Sequence, residues 1–129
     1  MRIAILFLWS LVVLAGCKQP TKPYTKIVTS EEMQTLLQKK GVQLVDVRTP
    51  EEYSEGFIPS AINIDYLSPA FSKGIEGLDK DKPIIVYCRS GKRSAKSSEK
   101  LEEAGFKKIY DLEGGFSKWK DKGYAVEKK

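Results

Sequence analysis

The residues best equipped for chemistry lie together in the run Cys88-Arg89-Ser90-Gly91-Lys92-Arg93-Ser94. A thiol becomes a strong nucleophile only when it loses its proton, and this run gives three reasons for it to do so. Arg89, Lys92 and Arg93 place three positive charges within five residues of the sulfur. Gly91 permits backbone conformations that other residues resist, so successive amide N–H groups can converge on the sulfur as they do in anion-binding nests. A helix beginning just afterwards adds about half a positive charge at its N-terminus. Cysteines in such surroundings are held as reactive thiolates. The alternative, a small buried hydrophobe at a strand end, fits poorly with three cations and a glycine directly behind it. Cys88 is therefore expected to be ionised at neutral pH.

The cysteine and histidine counts narrow the chemistry further. Cys17 and Cys88 are the two cysteines of the sequence, and there is no histidine. A Cys-His protease pair, a His-ligated zinc site and a histidine general base are excluded together. If Cys17 is modified, no second thiol remains for a dithiol oxidoreductase. No metal and no cofactor are expected.

The surrounding elements explain how such a loop could be held. A short strand at Ile27-Val28 precedes a helix that Thr29 caps, with Glu32 three residues on completing a capping box. Met33, Leu36 and Leu37 form its apolar face, and Gly41 is its expected stop. A buried strand follows over 42–47. Thr49-Pro50-Glu51-Glu52 repeats the helix-start pattern of cap, proline and glutamate. Gly56 and Pro59 end that helix, and residues 61–64 offer another strand. Residues 67–78 read as a short helix with a glycine-punctuated loop. The apolar run 83–87 has the length of a central strand and delivers Cys88 to its loop. A helix is expected over 93–104, stopped by Gly105, then a strand over 108–112 and a last helix over 115–122. Strands alternating with helices predict an α/β fold with a mostly parallel sheet. Ligands of such sheets bind beyond the carboxyl ends of the strands, which is where Cys88 falls.

The N-terminal stretch reads differently. Arg2 is followed by an apolar segment over 3–13, broken by Ser10, and Leu14-Ala15-Gly16 ends in small residues directly before Cys17. Spanning a bilayer takes about 20 apolar residues, so this segment is short for an anchor. It resembles the signal peptide and lipobox of a bacterial lipoprotein. That resemblance implies cleavage after residue 16 and a diacylglycerol on the Cys17 sulfur. A plain secretory signal is the alternative. Residues 17–26, with two prolines and no apolar periodicity, would then form a tether, and residues 27–126 the folded domain. Removing 1–16 takes the formal charge from +5 to +4, because Arg2 is the one ionised side chain lost. The many lysines are interspersed with acids along expected helices and are not interleaved with aromatics. They suggest a solvated surface and no nucleic-acid partner. An exported, lipid-held monomer at the bacterial envelope, facing the periplasm, is the expected setting. Lys18, which stands where some inner-membrane lipoproteins carry aspartate, hints at the outer membrane.

The loop at Cys88 resembles the active-site loop of rhodanese-like sulfurtransferases, and three further segments resemble signatures of that family in the family's order. They are Leu44-Val45-Asp46-Val47-Arg48-Thr49-Pro50-Glu51-Glu52-Tyr53, then Gly56-Phe57-Ile58-Pro59-Ser60-Ala61-Ile62-Asn63-Ile64, and finally Leu112-Glu113-Gly114-Gly115-Phe116 with Trp119. The resemblance implies a central, mostly parallel sheet of about five strands flanked by helices. It implies that Cys88 takes sulfur from a small anionic donor such as thiosulfate, forms a persulfide, and passes the sulfur to cyanide or a thiol. It also implies that Arg89, Ser90, Gly91, Lys92 and Arg93 bind the donor, although one cation can instead make a structural ion pair. Lys92 is the one expected to point outward. Asp46 and Arg48 are expected to be a structural pair, and Glu113-Gly114-Gly115 either a pocket wall or a simple turn. Phe57 stands where many members carry histidine. Two rival readings differ in kind. A cysteine phosphatase or arsenate reductase needs five residues between cysteine and arginine, but the sixth position after Cys88 is Ser94. A non-catalytic binding module or a sulfur carrier is the other.

Overall fold

The computed structural model describes residues 24–129. The signal-peptide and lipidation expectations for residues 1–16 and Cys17, and most of the expected tether, lie outside the described residues. Five strands, β1 (Thr25–Val28), β2 (Gln43–Asp46), β3 (Ile62–Asn63), β4 (Ile84–Tyr87) and β5 (Ile109–Leu112), form one sheet. Its order is β1-β5-β4-β2-β3 and every pairing is parallel. Five helices connect or follow them: α1 (Ser30–Leu37), α2 (Pro50–Glu55), α3 (Phe71–Glu76), α4 (Lys92–Glu103) and α5 (Gly115–Asp121). The expected parallel α/β architecture is the observed one.

The alternation of side chains along β4 divides the core. Ile85 and Tyr87 point into one layer with Met33 of α1, Leu44, Leu112, Phe116 and Trp119. Ile84, Val86 and then Cys88 point into the other, with Phe71, Ile75, Leu101, Phe106 and Ile109 beneath α3 and α4. All four residues of β4 are buried, as expected for a strand flanked on both sides and covered on both faces. Cys88 thus continues the strand's alternation and faces α4.

Several boundaries differ from the sequence expectations, each for a local reason. β1 starts at Thr25 because its pairing with β5 runs from Thr25 opposite Ile109 to Val28 opposite Leu112, so Thr25 and Lys26 belong to the sheet and not to a tether. α1 stops at Leu37, since Gln38, Lys39 and Lys40 offer no apolar side chain to bury, and Gly41 (φ +81°) turns the chain into β2. β3 is an edge strand of two residues. The Asn63 side-chain amide extends its hold on β2 by donating to the carbonyls of Asp46 (3.0 Å) and Arg48 (2.8 Å).

Candidate active site

The Cys88 side chain sits at the mouth of the strand-to-helix turn, 1% exposed. The Gly91 N–H donates to its Sγ at 3.0 Å. Gly91 has φ +118° and forms the N-cap of α4. A Cβ there would meet nothing within 4 Å, so glycine is needed for the backbone angle and not for space. Sequence analysis anticipates several amides on the sulfur, but Gly91 alone donates a backbone hydrogen bond to it. The N–H groups of Arg89 and Ser90 donate to no acceptor among the described residues, and the first turn of a helix leaves its own amides open. The loop thus holds the sulfur with one donor and keeps others for an atom beyond it. Ser94, fully buried, places its hydroxyl 3.5 Å from Sγ while donating to the Gly91 carbonyl at 3.1 Å.

The three cations behave differently. Arg93 makes the structural ion pair: its guanidinium holds the Glu52 carboxylate bidentately, at 2.6 and 2.9 Å. Lys92 is exposed, as expected, but the ion pair is not its own. Glu52 also accepts from the Thr49 backbone and hydroxyl in the capping box of α2, so one carboxylate ties the start of α2 to the start of α4. The Arg93 hydrogen bonds, aided by its charge, lower the Glu52 pKa to about 2. Arg93 therefore contributes its field to the site while its donors are engaged. Arg89 is exposed and lines a groove of about 440 Å³ together with Glu55, Phe116, Ser117 and Lys120. Ser90 is exposed beside it.

A second element clamps the loop. The Phe116 N–H donates to the Cys88 carbonyl at 2.8 Å, and the Ser117 N–H to the Arg89 carbonyl at 3.0 Å. The first turn of α5 thus lies against the backbone of the cysteine loop, and the approach is close. A Cβ on Gly115 would fall 2.5 Å from the Cys88 carbonyl oxygen, and Gly115 has φ +57°. The glycine pair is a wall of the site, not a bare turn. Asp46 and Arg48 form the expected structural pair: bidentate, 2.7 Å at the shortest, with Arg48 also donating to the Gly56 carbonyl at 2.6 Å. The Arg48 guanidinium lies 4.1 Å over the Phe116 ring, which joins this pair to α5. Phe57 is buried against Tyr53, ring centroids 4.3 Å apart, and pairs by backbone with Glu127.

Three contributors are not singled out by sequence reasoning. Ser94 figures there only as the residue standing where a phosphatase would have arginine. Glu52 reads only as a helix-start residue. The amides of Phe116 and Ser117 carry no side-chain signal at all.

This fold and site define a class. The family profile described as "Rhodanese-like domain" matches residues 29–122, and the chain belongs to the rhodanese-like family. It is 35% identical over 95 residues to the thiosulfate sulfurtransferase GlpE of Coxiella burnetii, covering 74% of this chain and 87% of that protein. It is 34% identical over 101 residues to a sulfurtransferase of Allochromatium vinosum, covering 77% and 92%. A crystal structure of a rhodanese-like domain protein from Staphylococcus aureus superposes with a TM-score of 0.69 at 37% identity, covering 81% of this chain and 98% of that one.

Proposed function

We propose that this protein is a rhodanese-type sulfurtransferase that carries sulfane sulfur on Cys88. The carrying observation is the Gly91 N–H held 3.0 Å from Sγ at a strand-to-helix turn, with further loop amides left open above it. The Cys88 thiolate attacks the outer sulfur of thiosulfate. A new S–S bond forms, the old one breaks, and sulfite leaves with its electron pair. The terminal sulfur of the resulting persulfide is negative, and the open N–H groups of the loop and the start of α4 suit it without a metal. Cyanide or a thiolate then removes that sulfur and restores Cys88. Arg89, exposed and unpaired among the described residues, is the cation that meets the donor, with Ser90, Gly91 and Lys92 contributing backbone and field.

Two features speak against phosphate-ester chemistry. The arginine of the loop stands one position early, and both of its nitrogens on that side are held by Glu52. Intact-protein mass spectrometry after incubation with thiosulfate tests the proposal. A gain of one sulfur mass that is lost in Cys88→Ser is expected. No adduct with thiosulfate or any persulfide donor would leave a non-catalytic binding module as the reading. Transfer from a protein persulfide but not from thiosulfate would make the chain a relay carrier.

Lipidation of Cys17 and attachment to the envelope membrane belong to the same proposal, resting on the run Leu14-Ala15-Gly16-Cys17. In fractionated cells the protein should sediment with membranes, and Cys17→Ala should move it to the soluble fraction. An unchanged distribution would overturn the anchor.

A further inference from the structure

Asp111 is a carboxylic acid in the middle of the sheet. It lies on β5 between β1 and β4, opposite Ile27 on one side and Val86 on the other. Strand alternation directs it to the same face as Val86 and Cys88, beneath α4. It is 7% exposed, and its Oδ1 has no hydrogen-bond partner. A buried carboxylate without a cation is costly, and no salt bridge to it exists among the described residues. The polar side chain that acts on it is the hydroxyl of Ser94, the same hydroxyl that lies 3.5 Å from the Cys88 sulfur.

The other charged groups around this face are committed elsewhere. On α4, Arg93 is turned to Glu52 and Glu102 is tied to Thr25 of β1. β1 presents Thr25 and Ile27 on this side and β4 presents Ile84 and Val86, none of which titrates. Cys88 is the remaining ionisable neighbour. Burial pushes the Asp111 carboxyl up from its ordinary value, and the Ser94 hydroxyl only partly offsets this. Such a carboxyl is ready to take up a proton.

We propose that Asp111 is the internal proton acceptor for Cys88, acting through Ser94, and is thus a positioning residue for sulfur transfer. This rests on the reading of Cys88 as the nucleophile. The Cys88 S–H proton passes to the Ser94 oxygen while the Ser94 O–H proton passes to Asp111. A thiol and a carboxylate become a thiolate and a neutral carboxyl. The buried site keeps a single negative charge throughout, and that charge moves from the depth of the sheet to the reacting sulfur.

Two groups sharing one proton titrate as a pair. The rate of Cys88 alkylation against pH should therefore show two steps in the wild-type protein and one in Asp111→Asn, which keeps the shape but cannot accept the proton. A second measurement does not depend on that variant folding. The carboxyl ¹³C signal of Asp111, followed in Cys88→Ser, should titrate at lower pH than in the wild type by about one unit or more. Identical alkylation profiles, or an Asp111 titration indifferent to the cysteine, would overturn the inference. Persulfide loading by thiosulfate, measured alongside, separates the outcomes. If the wild type loads and the profiles coincide, only the role of Asp111 fails. If nothing loads, the reading of Cys88 fails first.

Discussion

The cations of the cysteine loop share a charge but not a task, and each partner assigns a different consequence to its loss. Arg89 is exposed at the groove, so Arg89→Ala should act on donor binding. About a tenfold rise in KM for thiosulfate, near the 1.4 kcal/mol of one charge-assisted hydrogen bond, with kcat little changed, is the expected steady-state result. Equal loss in both parameters would place Arg89 in transition-state stabilisation instead. The Arg93–Glu52 pair belongs to stability. Because Arg93 lowers the Glu52 pKa to about 2, the native state favours ionised Glu52. The stabilisation is complete above the unfolded carboxyl's value of roughly 4.3 and fades as pH falls through about 2. Glu52→Gln should thus cost about 1 kcal/mol at pH 6, the upper range for a pair open to solvent. The gap from wild type in urea unfolding should narrow steadily below about pH 4.

At the level of elements, the site is built by two helix starts that meet on one loop. α4 begins at Gly91 and supplies its first-turn amides and Ser94, while α5 begins at Gly114 and grips the Cys88 and Arg89 carbonyls. The grip depends on Gly115 lacking a side chain. Gly115→Ala would drive a methyl group into the Cys88 carbonyl and strain a left-handed backbone. Strain of that kind costs about 1–3 kcal/mol, and the loop should move to relieve it. Persulfide yield measured well below the melting temperature should then drop in a sample that circular dichroism shows to be folded. A fully active, merely less stable variant would mean that the loop keeps its shape without α5. The cap of α2 carries less: Thr49→Ala should lower stability by about 1 kcal/mol without displacing Cys88.

Across the whole molecule, the sheet's carboxyl edge is held by one buried ion pair. Asp46 at the end of β2 holds Arg48, which reaches Gly56 after α2 and covers Phe116 of α5. Removing one partner leaves the other charge buried. Asp46→Ala is expected to cost about 3–5 kcal/mol in chemical denaturation and to reduce activity only through the loss of folded protein. The two core layers meet at β4, whose alternation sends Tyr87 to the Arg48 side and Cys88 to the Asp111 side. The structural pair and the reacting sulfur therefore occupy opposite faces of the sheet while being only two strands' ends apart.

Much of this was written in the linear chain. Helix starts at Thr29 and Thr49, the apolar run ending at Tyr87, and the glycine and cations behind Cys88 are local signals, legible because caps, periodicity and turn chemistry act over a few residues. The place of Cys88 beyond the carboxyl end of a central strand followed from them, as did the structural pairing of Asp46 with Arg48. Folding alone decided the partners that lie far apart in sequence. Arg93 finds Glu52 at a separation of 41 residues. The amides of α5 reach the carbonyls of a loop more than 25 residues earlier. Asp111 comes to lie under Ser94 because β5 pairs with β4. Hydrogen bonds and ion pairs depend on distances and directions in space, and neither composition nor spacing encodes which of three neighbouring cations will meet a distant carboxylate.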